Sequence, residues 1–453
     1  MSSLSSSSLP SSAAAIVLAA GMGTRMKSAL PKVMHPVLGR PMVSHVVAGA
    51  EGLGLSPVAV VIGPDMAPVQ KAVAPHPTVE QTERLGTAHA VLQARALMEG
   101  VNGTILILYG DTPLIRPETL HNMITLREQS RAGVVVLGFR PDQPGAYGRL
   151  VTDAEGHLQA IVEAREATPD QLAIDLCNSG VMAVDGAALF GWLDRVDNAN
   201  AKGEYYLTDI VALACADGRL CCVVEGDEDE LLGVNSRVEL AQAEYIAQDR
   251  MRTAALENGA TLIDPETVYF SHDTVLGRDV MVGPFTVFGP GVTVADGVEI
   301  KGFCHFEQCT VASGATVGPY ARLRPGAEIG VDAHIGNFVE IKKAVVETGA
   351  KVNHLTYIGD ARVGSKANIG AGTITCNYDG YNKSHTDIGA GAFIGSNSSL
   401  VAPVAIGDGA IVGAGSVITG AVEADALAVA RGRQESRPGW AARFRAAMQA
   451  KKK

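Results

Sequence analysis

Apolar residues in the first half of the chain fall in short unbroken runs at 15–18, 58–62, 105–109 and 134–139, separated by longer mixed segments. Runs of that length without alternation suit strands buried on both faces, and their spacing suits βαβ units around a mostly parallel sheet. The pattern predicts a Rossmann-like α/β domain over 14–235. Sheets of this kind gather ligands at the carboxyl ends of their strands, where Gly21, Gly63 and Asp111 stand. The run at 13–20 has no preceding Lys or Arg and passes straight into a glycine turn, so it reads as a buried strand and not as a signal segment.

Ser236 followed by Glu239 predicts a capping box, and the absence of Gly and Pro until Asn258-Gly259 predicts one connecting helix at 237–257 within a linking segment 236–259. Beyond it the period changes to six. Aliphatic or aromatic residues recur at Leu276, Val282, Phe288, Val294, Ile300 and Phe306, then at Val311, Val317, Leu323, Ile329, Ile335 and Ile341. The rhythm returns at Val363 and Ile369, and again at Ile388, Ile394, Leu400, Ile406 and Val412. Neither a helix nor a lone strand has this period. It fits one side of a three-sided coil of about 18 residues per turn, whose inward residues stack coil on coil. The expected solenoid spans 260–424, with a loop leaving it at 375–387 and a basic tail at 425–453.

Length makes two domains the expectation for 453 residues. With 47% hydrophobic and 19% charged residues the chain should fold, apart from a Ser-rich extension at 1–13 expected to be disordered. A net charge of −11 argues against a nucleic-acid partner, and no apolar run approaches the roughly 18 residues of a membrane span. Seven scattered cysteines without paired spacing read as reduced thiols, hence cytoplasmic.

Residues 18–26 read LAAGMGTRM, with Pro31-Lys32 following. A glycine turn after a strand offers backbone N–H groups to phosphate, and Arg25 and Lys32 add positive charge. Met26 stands where a dinucleotide fingerprint needs glycine, and no P-loop string occurs. The whole string, with Leu18, Ala19, Ala20, Gly21 and Gly23, resembles the signature of sugar-phosphate nucleotidyltransferases. Gln81 and Leu85-Gly86-Thr87 resemble that family's uracil-facing segment. Tyr109-Gly110-Asp111 resembles its metal strand. Gly148, Glu163, Asn178 and the segment 204–209 resemble its sugar site, and Gly233-Val234-Asn235 completes the match. The resemblance implies Mg²⁺ held by Asp111 and Asn235, and displacement at the α-phosphorus of UTP by a sugar 1-phosphate.

His354 is the candidate base of the second half, since imidazoles exchange protons near neutrality and an amine attacking a thioester must lose one. The surrounding HLTYIGD, followed by residues 368–373 and 376–380, resembles glucosamine-1-phosphate acetyltransferases of the hexapeptide-repeat class, which implies a left-handed parallel β-helix. By that resemblance Glu340 assists the amine, and Arg324, Lys342, Tyr357 and Asn368 hold glucosamine 1-phosphate. Ala371, Asn377, Tyr378, Ser396, Ala414 and Arg431 meet acetyl-CoA, and the prisms pair as a homotrimer. Together the two halves resemble the bifunctional enzymes that acetylate glucosamine 1-phosphate and then uridylylate the resulting N-acetylglucosamine 1-phosphate. Two alternatives are a nucleotidyltransferase whose β-helix only regulates or oligomerises, and a non-catalytic scaffold. The presence of His354 and Lys342 speaks against the first, and of Lys32, Asp111 and Asn235 against the second.

Overall fold

The four apolar runs become the strands Ala14–Leu18, Val58–Ile62, Thr104–Tyr109 and Val134–Phe139 in a computed structural model that describes residues 13–451. In the sheet the order is Cys221–Glu225, Val134–Phe139, Cys177–Asp185, Thr104–Tyr109, Ala14–Leu18, Val58–Ile62 and Thr78–Glu80. Cys177–Asp185 runs antiparallel to both neighbours, and the other pairings along this path are parallel. The first strand lies between its two parallel neighbours with Leu18 level with both Val61 and Tyr109, so three carboxyl ends open together. This is where the strand order reverses, the place at which such sheets leave a crevice.

The Ser-rich extension expected at 1–13 lies outside the described residues except for Ala13. That residue is buried and its carbonyl accepts from the Ser56 N–H, so it belongs to the fold.

The connecting helix is Arg237–Glu257. Ser236 Oγ accepts from the Glu239 N–H at 3.3 Å as expected, but the Glu239 carboxylate takes the N–H of Asn235 at 2.7 Å where a regular box would take that of Ser236. The chain divides into two compact units between Arg250 and Met251, inside this helix. Ahead of the division Ala243 and Ala247 are buried and Arg250 donates to the Leu114 carbonyl at 2.6 Å. After it Met251 and Ala255 pack on the core of the second unit, and Arg252 donates to the Val268 carbonyl at 3.1 Å.

The second unit is a parallel β-helix of the expected three-sided kind. Strands stack face by face, as in Met281 beside Glu299, Glu299 beside Thr316 and Thr316 beside His334. All the hexad residues read from the sequence are buried in one continuous core, except Leu276, which is only partly covered at the start of the stack. The rhythm does not lapse after Ile341: Val346, Val352 and Ile358 continue it, with five-residue steps at 341–346 and 358–363 that hide the period. Its end is also later than 424, since Leu427–Ala428 pairs with Ile411–Val412. Beyond this the tail forms the helix Trp440–Ala450, none of whose residues is buried. Lys452 and Lys453 lie outside the described residues. Among the described residues no helix is long and apolar enough to cross a membrane.

One edge of the prism changes character along its length. Phe285, Phe303, Tyr320 and Phe338 occupy the same corner in successive coils, their rings stacked 4.9 Å apart. In the following coils that corner is held by Leu355, Gly372, Asn397 and Gly415, all with positive φ. Side chains shrink there, so the edge opens.

Candidate active sites

In the first unit a cleft of about 330 Å³ sits at the level carboxyl ends. Leu18, Ala19, Ala20, Gly21, Lys32, Gln81, Gly86, Thr87, Tyr109 and Asp111 line it, all expected from the sequence. Glu204, from the segment expected at the sugar site, lines it as well, and so do Val33, Arg84 and Ala90, which were not expected. Arg84 donates to the Ala20 carbonyl at 3.3 Å, tying the uracil-facing segment to the glycine turn; a basic residue just before Leu85-Gly86-Thr87 was the signal available.

The turn needs its glycines. Gly23 has φ +64, and a Cβ there would collide with the Lys32 side chain. Gly86 has φ +120, and a Cβ there would strike the Tyr205 backbone. Tyr205 N–H donates to the Leu85 carbonyl at 2.7 Å, Ala88 N–H to the Tyr205 carbonyl at 3.0 Å and Leu207 N–H to Thr87 Oγ1 at 3.0 Å, so segments 85–88 and 204–209 form one wall.

Lys32 Nζ hydrogen-bonds Asp111 Oδ2 and lies 3.0 Å from Asn235 Oδ1. Two sequence-distant oxygens thus converge on one cationic group. The Val234 N–H donates to the Asp111 carbonyl, the Asn235 amide donates to the Gly233 carbonyl, and Glu239 holds the Asn235 N–H, which together aim Asn235 Oδ1 inward. An oxygen pair of this kind fits a hard divalent ion that keeps several waters. Among the described residues there is no cluster of three or more His, Cys, Asp or Glu that would make a fuller metal cage.

The structure does not bring every expected residue to the cleft wall. Arg25 is exposed in the short turn after Gly23, and Gly110 and Gly23 support the wall without lining it. Gly148 and Asn178 are joined by the Asn178 N–H to Gly148 carbonyl bond at 2.8 Å, near Glu163 at the end of the Leu158–Val162 strand. They connect to the cleft through Tyr109, whose ring lies against Gly180 so closely that a Cβ there would overlap it. Burial raises the Tyr109 phenol above its ordinary pKa, and the charges of Asp111 and Glu163 add to this, so it stays a neutral hydrogen-bonding group. Burial likewise raises the Glu163 carboxyl.

In the second unit His354 closes the strand Lys351–His354 on the edge where the aromatic stack ends. Its Nδ1 lies 2.7 Å from Asn337 Oδ1 one coil earlier. The carbonyl oxygen only accepts, so a ring proton sits on Nδ1, and in the neutral ring the lone pair is on Nε2. Along the same edge Gly372 N–H donates to the His354 carbonyl, Asn397 N–H to Ala371 and Gly415 N–H to Ser396, and Arg431 reaches the Ala414 carbonyl at 2.6 Å. His354, Ala371, Ser396, Ala414 and Arg431 are therefore one ladder up a single edge.

The next face carries the charges. Arg324 donates to Glu340 at 2.7 Å, Glu340 pairs with Tyr357, and Lys342 pairs with Gly359. The Tyr357 ring covers Gly359, where any Cβ would overlap its hydroxyl. Lys383, not singled out in the sequence, is brought beside Lys342 by the loop that leaves the prism. Its ammonium pushes the Lys342 pKa down, and Arg324 adds to the effect. Two ammonium groups side by side, offset only in part by Asp360, are relieved by an anion between them. Asn377 is buried and donates to Asp360, fastening that loop. Two expected residues make other contacts in this chain: the Tyr378 hydroxyl donates to the Gly380 carbonyl within its own loop, and Asn368 lies beside Lys351, four positions before the corner residue Gly372.

Residues 15–172 match the model of the MobA-like NTP transferase domain, and 385–420 match that of the bacterial transferase hexapeptide (six repeats). The bifunctional protein GlmU of Paramagnetospirillum magneticum is 67% identical over 97% of this chain and 98% of its own length. That of Rhodospirillum rubrum is 66% identical over 96% and 98%, and that of Xanthobacter autotrophicus 56% identical over 95% and 97%. With both units matched end to end by these relatives, the chain belongs to the GlmU family of bifunctional proteins.

Proposed function

We propose that the chain makes UDP-N-acetylglucosamine in two steps, acetyl transfer from acetyl-CoA to glucosamine 1-phosphate in the β-helix, then uridylyl transfer from UTP to the product in the α/β unit. The observation that carries this reading is the single-edge ladder that starts at His354 and runs through small residues to Arg431, beside a face of three cations.

In the acetyl step Arg324, Lys342 and Lys383 hold the sugar phosphate, with Tyr357 and Asn368 shaping the pocket. His354 Nε2 takes a proton from the sugar amine as it attacks the thioester carbonyl, and Asn337 stabilises the resulting imidazolium at Nδ1; the C–S bond then breaks and the proton passes to the departing CoA thiolate, leaving the amide and free CoA. Glu340, held by Arg324, orients the amine. Acetyl-CoA extends along Ala371, Ser396, Ala414 and Arg431, flanked by Asn377 and Tyr378.

In the uridylyl step the phosphate of N-acetylglucosamine 1-phosphate attacks the α-phosphorus of UTP in line and pyrophosphate leaves. The nucleophile is already an anion, so positioning and positive charge do the catalysis. The glycine turn and Lys32 receive the triphosphate, Arg25 adds charge at its mouth, and Gln81, Gly86 and Thr87 receive the base. Gly148, Glu163 and Asn178 meet the sugar. Asp111 and Asn235 would hold Mg²⁺, which when bound neutralises phosphate charge. The reading includes a cytoplasmic homotrimer built through the prisms.

Purified protein incubated with glucosamine 1-phosphate, acetyl-CoA, UTP and Mg²⁺ should yield free CoA, pyrophosphate and UDP-N-acetylglucosamine by mass. Pyrophosphate release from N-acetylglucosamine 1-phosphate, with no thiol released from acetyl-CoA, would favour the reading in which the β-helix only regulates or oligomerises.

A further inference from the structure

Two cationic side chains, Lys32 and Arg84, line the cleft of the first unit, and only Lys32 is neutralised, by its pairing with Asp111. Among the described residues Arg84 has no carboxylate partner, and its one hydrogen bond runs from Nε to the Ala20 carbonyl at 3.3 Å. That bond fixes the root of the guanidinium. A terminal nitrogen lies over Gly63, where a Cβ would press on it at 3.2 Å. Ala20 leads into the glycine turn, Gly63 follows the strand Val58–Ile62, and Arg84 itself follows Thr78–Glu80. The four terminal N–H bonds of a planar fork are thus held at the cleft and left for solvent or a ligand, an arrangement suited to phosphate oxygens.

The strand order distinguishes among the phosphates. In an in-line displacement the sugar phosphate enters and pyrophosphate leaves on opposite sides of the α-phosphorus. Asn178 and Tyr109, which lead to the sugar site, belong to the strands Cys177–Asp185 and Thr104–Tyr109 on one side of Ala14–Leu18. Gly63 and Arg84 follow the strands on its other side. As the bond from the α-phosphorus to the bridging oxygen breaks, its electron pair stays on the pyrophosphate, so negative charge grows on the side where Arg84 stands. Gln81, Gly86 and Thr87 share that side but are uncharged.

We propose that Arg84 is a further substrate-binding residue of the uridylyl site, which holds the β- and γ-phosphates of UTP and the pyrophosphate they become. The proposal rests on the uridylyl reading above. UDP-N-acetylglucosamine carries neither of these phosphates, so it should bind without the help of Arg84.

Running the reaction backwards separates the two ligands. Wild type, Arg84→Gln and Arg84→Lys are supplied with UDP-N-acetylglucosamine, pyrophosphate and Mg²⁺, and UTP formation is followed. Arg84→Gln should raise KM for pyrophosphate at least roughly tenfold, as expected for loss of a charge-assisted hydrogen bond, and leave KM for UDP-N-acetylglucosamine within about twofold of wild type. Arg84→Lys, which keeps the charge but loses the fork, should fall between. Since Arg84 is exposed, both variants should melt as the wild type does. A strut that only braced the glycine turn would raise both constants together, because Ala19, Ala20 and Gly21 line the cleft for either ligand. That outcome, or an unchanged KM for pyrophosphate, would overturn the proposal. A wild type that forms no UTP would instead remove the uridylyl reading itself.

Discussion

At the scale of single residues, each site depends on a group whose neighbour fixes its chemical form. Asn337 keeps the His354 proton on Nδ1, so His354→Ala should cost acetyl transfer about 10²–10⁴-fold with uridylyl transfer intact, read by thiol release and pyrophosphate release on one preparation. Asp209 shows the cost of crowding. Burial first, then Asp197, Glu166 and Glu163, push its carboxyl up to about 6. An acid whose folded pKa lies above its unfolded one binds more protons folded than unfolded between the two values, so stability falls as pH rises through that window. The penalty is complete above about pH 6 and absent below the ordinary aspartate range. Asp209→Asn should therefore raise Tm at pH 8 and leave it unchanged near pH 3, as followed by thermal melts. A gain of equal size at both pH values would contradict this assignment.

At the scale of elements, what could be read in the sequence was what repeats. Buried strands of the α/β unit declare themselves because both faces are apolar, and the hexads because each inward residue stacks on its counterpart. The coils between Ile341 and Val363 were hidden by two five-residue steps, in which a shorter corner shifts the period without disturbing the stack. Lys383 was hidden for a different reason. It stands on a loop, and its place beside Lys342 depends on how that loop folds back, as the Tyr378–Lys383 bridge shows. The Glu239 link to Asn235 was half legible: the capping spacing was visible, but which N–H the carboxylate takes is a matter of turn geometry. Ile335→Ala, at a fully buried hexad position, should destabilise the β-helix by about 2–5 kcal/mol in denaturant melts. Ser396→Trp, on the exposed ladder, should leave those melts unchanged and raise KM for acetyl-CoA at least about tenfold by blocking the open edge. An unchanged KM would place acetyl-CoA elsewhere.

At the scale of the whole molecule, each unit has its own core and its own site, and every contact described for a site lies within one unit. The product of one reaction is the substrate of the next, so the two sites need exchange only a small diffusing sugar phosphate. The most direct measurement is therefore complementation between two separately disabled proteins, His354→Ala and Asp111→Ala, supplied with glucosamine 1-phosphate, acetyl-CoA, UTP and Mg²⁺. Neither alone should form UDP-N-acetylglucosamine, and their mixture should form it after a lag in which N-acetylglucosamine 1-phosphate accumulates. A folded mixture that yields no product, or either variant losing both half-reactions, would contradict two independent sites.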